Sequence, residues 1–184
     1  MLAPRPGETL LDIGCGTGYF TRRFARETGV RATGLDPNEE WLAYAIEHSA
    51  ADESYLAGRA ESLPFLDRRF DCTLSVTALC FVDGHRQAIS ELLRVTGRRF
   101  AIGLLNRNSA LYSQKAGIGA YRGARWQTPE EIRALFGGLP VRGLELRSAV
   151  FLPNAGAFAR FLEPLIPSGS LRGALLAVAG NVVS

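Results

Sequence analysis

Short apolar runs alternate along this chain with apolar positions at helical spacing. Thr9–Ile13, Arg31–Leu35, Ser54–Ala57, Cys72–Val76 and Arg99–Leu105 are brief runs of the first kind. A strand covered on both faces reads this way, because neither side meets water and no polar alternation is imposed. Between the runs, Phe20 and Phe24, then Trp41, Leu42, Ala45 and Ile46, then His85, Ala88, Ile89, Leu92 and Leu93 recur with the period of a helix. Thr128-Pro129-Glu130-Glu131 spells a capping box with proline at the first helical position, opening a helix that stops at Gly137-Gly138. Val141–Leu152 reads as a long strand, Ala155–Leu165 as an amphipathic helix and Gly173–Gly180 as a final strand. Strands separated by helices predict an α/β fold, a doubly wound sheet in three α/β/α layers.

Length and composition narrow the setting. The 184 residues, 47% of them hydrophobic, suffice for one sizeable core, so residues 1–184 are expected to form a single domain. No apolar stretch reaches the ~18 residues that span a bilayer, and the Met1–Pro6 start lacks the apolar segment of a signal peptide. The helix carrying Phe158, Phe161, Leu162 and Leu165 has only Arg160 on its polar side, so it is expected on the sheet and not on a membrane surface. Cys15, Cys72 and Cys80 have no metal-site spacing, which points to free thiols, no metal and a cytoplasmic setting. A net charge of +3 permits nucleic acid as a partner, but the arginines are scattered and no recognition module is visible.

The chemistry begins at Leu11-Asp12-Ile13-Gly14-Cys15-Gly16-Thr17-Gly18-Tyr19, where a strand closes in an acid and opens a glycine-spaced turn. Glycine tolerates positive φ and lets a ligand approach the backbone closely. A dinucleotide fingerprint needs Gly-x-Gly-x-x-Gly, whose last glycine is Tyr19 here, and no Gly-Lys-Ser/Thr follows to make a Walker loop. The second run ends in Asp36, a carboxylate placed to accept from both hydroxyls of a ribose. Asp12, at a buried strand end, calls for a cationic partner such as a ligand ammonium.

These residues resemble the class I S-adenosylmethionine (SAM)-dependent methyltransferases, in particular the type 11 methyltransferase domain group. Leu11 to Gly18 is similar to the family's first motif, Gly34-Leu35-Asp36 to the second, and Ala60-Glu61-Ser62-Leu63-Pro64-Phe65 with Phe70-Asp71 to the third and fourth, in family order over roughly residues 8–152. The resemblance implies a Rossmann-like seven-stranded sheet of order 3-2-1-4-5-7-6 with the last strand antiparallel. It implies SAM as cofactor, S-adenosylhomocysteine as product, and methyl transfer to a small-molecule acceptor. By the same resemblance Gly14, Cys15, Gly16 and Gly18 would contact the methionine part, Asp12 its ammonium, Asp36 and Pro37 the ribose, and Ala60 and Glu61 the adenine. Thr77 and Ala78 would border the methyl group. Many members carry an acid before the alanine that accepts from the adenine amino group; this chain has Arg59 there.

After the fourth strand, Ser75–Val82 lacks the Asn/Asp-Pro-Pro-aromatic pattern of amino-group methyltransferases acting on adenine or glutamine. Cys80 reads as core, and His85 as a capping or surface residue at a helix start. Residues 106–127 carry Arg107, Lys115, Arg122 and Arg125 with no acid, interleaved with Tyr112, Tyr121 and Trp126. The family uses this insertion as a cover over the acceptor, so Tyr112, Tyr121, Arg122, Arg125 and Trp126 become candidates to hold an anionic or aromatic molecule; the alternative is an irregular solvated loop whose arginines follow the chain's general preference for Arg over Lys. The helix that many members carry ahead of the first strand has no counterpart before Thr9; an upstream start, cover from a second subunit in a homodimer, or an open site would each account for this. A non-catalytic SAM-binding domain is the alternative outside enzymology.

Overall fold

The computed structural model describes residues 1–50, 53–150 and 169–183. In chain order these form β1 (Thr9–Ile13), α1 (Tyr19–Thr28), β2 (Arg31–Asp36), α2 (Glu39–Glu47), β3 (Glu53–Ala57), β4 (Phe70–Val76), α3 (His85–Val95), β5 (Thr96–Leu105), α4 (Ala110–Lys115), α5 (Pro129–Leu135), β6 (Val141–Ala149) and β7 (Leu175–Val182). The strands join in one sheet of order β3-β2-β1-β4-β5-β7-β6. β1 to β5 pair in parallel, and β7 runs antiparallel to both β5 and β6. The expected topology is met.

Alternating side chains sort onto the two faces of the sheet. Leu10, Cys72 and Leu74 pack with Ala25 of α1 on one face, and Leu11, Ile13, Phe100, Ile102 and Leu104 pack with Ile89 and Leu92 of α3 and Ile132 of α5 on the other. Phe100, fully buried, stacks on Phe136 with ring centres 5.5 Å apart. The α5 capping box closes both ways: Glu131 N–H donates to Thr128 Oγ1 at 3.2 Å and Thr128 N–H to Glu131 Oε2 at 2.8 Å.

Strand ends depart from the apolar pattern where polar residues carry the pairing. β4 starts at Phe70 and β5 at Thr96, ahead of the expected Cys72 and Arg99, because backbone pairing there is indifferent to side-chain polarity. A buried hydroxyl chain secures the extension: Thr73 and Thr96 meet at 2.7 Å, and Thr96 donates to the Leu92 carbonyl at 2.6 Å. β7 occupies Leu175–Val182 and not Gly173–Gly180, and β6 ends at Ala149. The helix expected over Ala155–Leu165 lies outside the described residues. Within 106–127, α4 is a helix that periodicity did not show; the Ser109 hydroxyl caps it, accepting from Tyr112 N–H.

Candidate cofactor cleft

The carboxyl ends of β1 and β2 are bound together by backbone. Gly14 and Cys15 N–H groups both donate to the Leu35 carbonyl, at 2.7 and 3.1 Å, and Gly18 N–H closes the turn on the Cys15 carbonyl at 3.0 Å. Gly14, Gly16 and Gly18 all have positive φ, at 73°, 54° and 78°, so the alternating glycines meet a conformational demand. Gly14 meets a steric one as well, since a Cβ there would overlap the Ala78 side chain.

Asp36 clamps this turn. Its Oδ2 accepts from Gly16 N–H at 2.8 Å and its Oδ1 from Asn38 N–H at 2.9 Å. The two features that sequence spacing set apart are therefore directly bonded. Each carboxylate oxygen retains a further lone pair for a ligand hydroxyl. Asn38 is the cap of α2, accepting from Trp41 N–H at 3.0 Å.

Asp12 is almost fully buried and accepts from Thr21 Oγ1 of α1 at 2.8 Å. Burial pushes its carboxyl up from 3.8 to about 6, against the Thr21 hydrogen bond, with the neighbouring Asp36 charge adding to the rise. A cation arriving beside it would reverse that shift.

Beside the turn lies a cleft of about 640 Å³, lined by Ile13, Gly14, Leu35, Asp36, Pro37, Trp41, Arg59, Ala60, Glu61, Ala78, Leu79, Phe81, Val82 and Ala120. Its size is that of a small-ligand site, and it opens where the strand order reverses. Of the sequence-selected residues, Gly14, Asp36, Pro37, Ala60, Glu61 and Ala78 line it. Asp12, Cys15, Gly16, Gly18 and Thr77 do not; Asp12 is held behind the wall, and Gly18 faces Tyr55 and Arg22. Thr77 has φ 63° and donates to its neighbour Val76's carbonyl, which turns the chain into a 3₁₀ turn over Ala78–Phe81. That turn delivers Ala78, Leu79 and Phe81 to the cleft.

Trp41 and Phe81 are about half exposed at the cleft's edge, and sequence reasoning missed both. Helical periodicity had absorbed Trp41 into a core stripe, and no spacing signal sets Phe81 apart from its apolar neighbours.

Residues 106–127 are more tightly built than a flexible cover. Trp126 is buried, with Tyr112 edge-on at 5.3 Å and Tyr121 tilted at 5.5 Å. Arg107 is held by Glu131 at 2.8 Å and by the Trp126 carbonyl at 2.7 Å. Arg122 and Arg125 are exposed and have no ion-pair partner among the described residues. Ala120 is the segment's contribution to the cleft wall.

His85 corrects the surface or capping reading. It is buried as the first residue of α3, behind the cap residue Gly84, and its Nε2 has no partner among the described residues. Burial and then the nearby Arg125 charge hold its pKa down, which favours the neutral ring. Cys80 is core as expected: its sulfur accepts from Leu105 N–H at 3.2 Å, and burial pushes its thiol up to about 11. No helix among the described residues is long and apolar enough to cross a membrane, and no group of three metal-binding side chains occurs among them.

Residues 11–99 match the family model described as a methyltransferase domain. The chain is 42% identical over 96 residues to the malonyl-[acyl-carrier protein] O-methyltransferase of Pectobacterium atrosepticum; the match takes in 52% of this chain and 37% of that enzyme. The chain thus spans little more than a third of the curated relatives it matches. Among solved structures it is similar to a SAM-dependent methyltransferase of Thermotoga maritima, with a TM-score of 0.71 and 25% identity, covering 96% of this chain and 83% of that one. The fold is also that of a Haemonchus contortus phosphoethanolamine N-methyltransferase solved with SAM, with a TM-score of 0.74 at 17% identity, over 100% of this chain and 50% of that one.

Proposed function

We propose, from the premise that this chain carries a methyltransferase domain over residues 11–99 within the class I SAM-dependent methyltransferase fold, that it transfers a methyl group from SAM to a small organic acceptor. The observation that carries the reading is the Asp36 carboxylate, which joins the glycine turn to the wall of a 640 Å³ cleft. The donor set fits the cofactor. Asp36 would hold a ribose, Leu35, Pro37 and Leu79 offer an apolar slot for a purine, and the buried Asp12, behind the wall, would act on a ligand ammonium through its charge.

When bound, SAM supplies a methyl group already activated on a sulfonium. The protein then has to align the acceptor in line with that group and exclude water, and orientation of this kind can supply several kcal/mol. Ala78, Leu79, Phe81 and Val82 form an apolar rim suited to the task. No side chain needs to act as a base unless the acceptor must lose a proton, and the buried His85 does not line the cleft. Titration calorimetry with SAM and S-adenosylhomocysteine tests the binding, and transfer of labelled methyl to candidate acceptors tests the chemistry. Absence of binding by both compounds would refute the reading.

The pH dependence of SAM binding follows from Asp12. Its raised pKa means that the free protein keeps a proton there below about pH 6. A ligand ammonium favours the ionised form, so binding must release that proton on the acid side. Affinity is expected to fall by up to about tenfold per pH unit below pH 6 and to level off above it. Stability of the unliganded protein runs the other way. The contribution from neutral Asp12 is complete below its unfolded value of 3.8 and is lost as pH rises through about 6. Asp12→Asn should flatten the binding profile; an unchanged slope in that variant would exclude Asp12 as its source.

On this reading the acceptor is an anion, taken up by the exposed Arg122 and Arg125, which follow the wall residue Ala120 along the chain. The malonyl group named for the relatives' acceptor belongs to this chemical class. Arg122→Ala/Arg125→Ala is expected to raise the acceptor KM about tenfold or more, through loss of charge-assisted hydrogen bonds, with SAM affinity unchanged. An unaltered acceptor KM would remove these arginines from the site.

A further inference from the structure

The part of the cleft wall supplied by the 3₁₀ turn, its cap residue Val82 and residues 106–127 is apolar throughout: Ala78, Leu79, Phe81, Val82 and Ala120. In a 3₁₀ helix side chains three apart eclipse, so Ala78 and Phe81 lie one above the other on the cleft. Ala78 abuts the glycine turn at Gly14. Phe81, one turn on, leaves about half of its surface exposed.

A cation is fastened to the same turn. The Cys80 carbonyl accepts from Arg125 N–H at 2.7 Å, and the Cys80 sulfur accepts from Leu105 N–H at 3.2 Å. The Arg125 backbone is thereby held beside the residue that precedes Phe81, and both are tied to the end of β5. The Arg125 side chain is exposed and has no ion-pair partner among the described residues, whereas Glu131 neutralises Arg107 of the same segment. Residues 106–127 contain no acid of their own. We propose that the acceptor is amphipathic, with an oxyanion on Arg125 joined to an apolar body of several carbons that lies on Phe81 and Val82. Phe81 is then the residue that selects acceptors by their apolar size. The assignment rests on the SAM reading above and adds a body to the anionic head given to the arginines.

Each half of the wall argues for one half of the ligand. A small polar anion would answer the Arg125 charge but leave the Phe81 ring in water. An uncharged apolar molecule would cover the ring and leave the guanidinium without a counter-charge. A molecule carrying both gains the burial of apolar surface and a charge-assisted hydrogen bond together.

The test titrates butyrate, hexanoate and octanoate, with hexylamine as the control of charge, into the protein loaded with S-adenosylhomocysteine, reading Kd by nuclear magnetic resonance. Affinity is expected to rise about three- to fourfold for each methylene that is covered, and hexylamine is expected not to bind. Phe81→Ala should flatten the dependence on chain length, while Phe81→Leu, still apolar, should keep most of it. Arg125→Ala should weaken every carboxylate by about tenfold without changing the dependence, and Arg125→Lys should restore part of the loss. A role of Phe81 in stability alone would move Tm and leave the dependence intact. A wild-type affinity indifferent to chain length, a wild-type dependence retained in Phe81→Ala, or hexylamine binding as tightly as hexanoate overturns the assignment while leaving SAM binding in place. Failure of the wild-type protein to bind S-adenosylhomocysteine overturns the underlying reading, and the assignment falls with it.

Discussion

Gly14→Ala is expected to reduce SAM affinity by about a hundredfold or more. Two costs coincide at that position. A φ of 73° costs an L-residue about 1–2 kcal/mol. The new Cβ would also occupy the space of Ala78 Cβ, and such overpacking costs a further ~1–3 kcal/mol. Gly14 and Ala78 both line the cleft, so the backbone shift that relieves the overlap moves the cofactor's own wall. Ala78→Gly in the same molecule removes the overlap but not the φ penalty. The double variant should therefore recover part of the lost affinity. Calorimetry on the single and double variants measures both terms, and wild-type affinity in Gly14→Ala would show that the turn does not shape the site.

Asp36→Ala ranks second. The carboxylate accepts from Gly16 and Asn38 amides, both of which lose their acceptor on truncation. Loss of the ligand-facing charged hydrogen bonds should weaken SAM binding by about 1–3 kcal/mol, and the stranded amides should lower stability by a similar amount. Two readouts are needed because the two roles are separable. Asp36→Asn keeps a carbonyl oxygen for one amide, so its thermal stability should lie nearer the wild type while its SAM affinity stays low. If Asp36→Ala lowered Tm and left the Kd of SAM untouched, the residue would be a clamp only and the ribose would sit elsewhere.

The buried parallel strands, the α5 capping box and the core role of Cys80 were legible in the chain itself. All three depend on local rules: apolar runs for buried parallel strands, side-chain oxygens for orphan amides, a small thiol among apolar neighbours. The strand order was legible only through the resemblance to class I methyltransferases. The segment order of class I methyltransferases was legible for a related reason, since its glycines and terminal acids stand at fixed distances along the chain. Polar strand starts such as Thr96 were not, because pairing recruits backbone whatever the side chain.

What only the tertiary structure decided concerns residues whose environment comes from remote parts of the chain. His85 looks solvated in a segment reading Asp-Gly-His-Arg, yet it is buried with the charge of Arg125, forty residues away, acting on it. Trp126 and Arg107 look like ligand-seeking groups until Tyr112, Tyr121 and Glu131 surround them. The bond between Asp36 and Gly16 joins two motifs that spacing along the chain shows as separate. Sequence determined the elements and their order, because helix and strand periods are written in neighbouring residues; burial, pairing and charge at the site were settled by packing between segments that no local pattern connects.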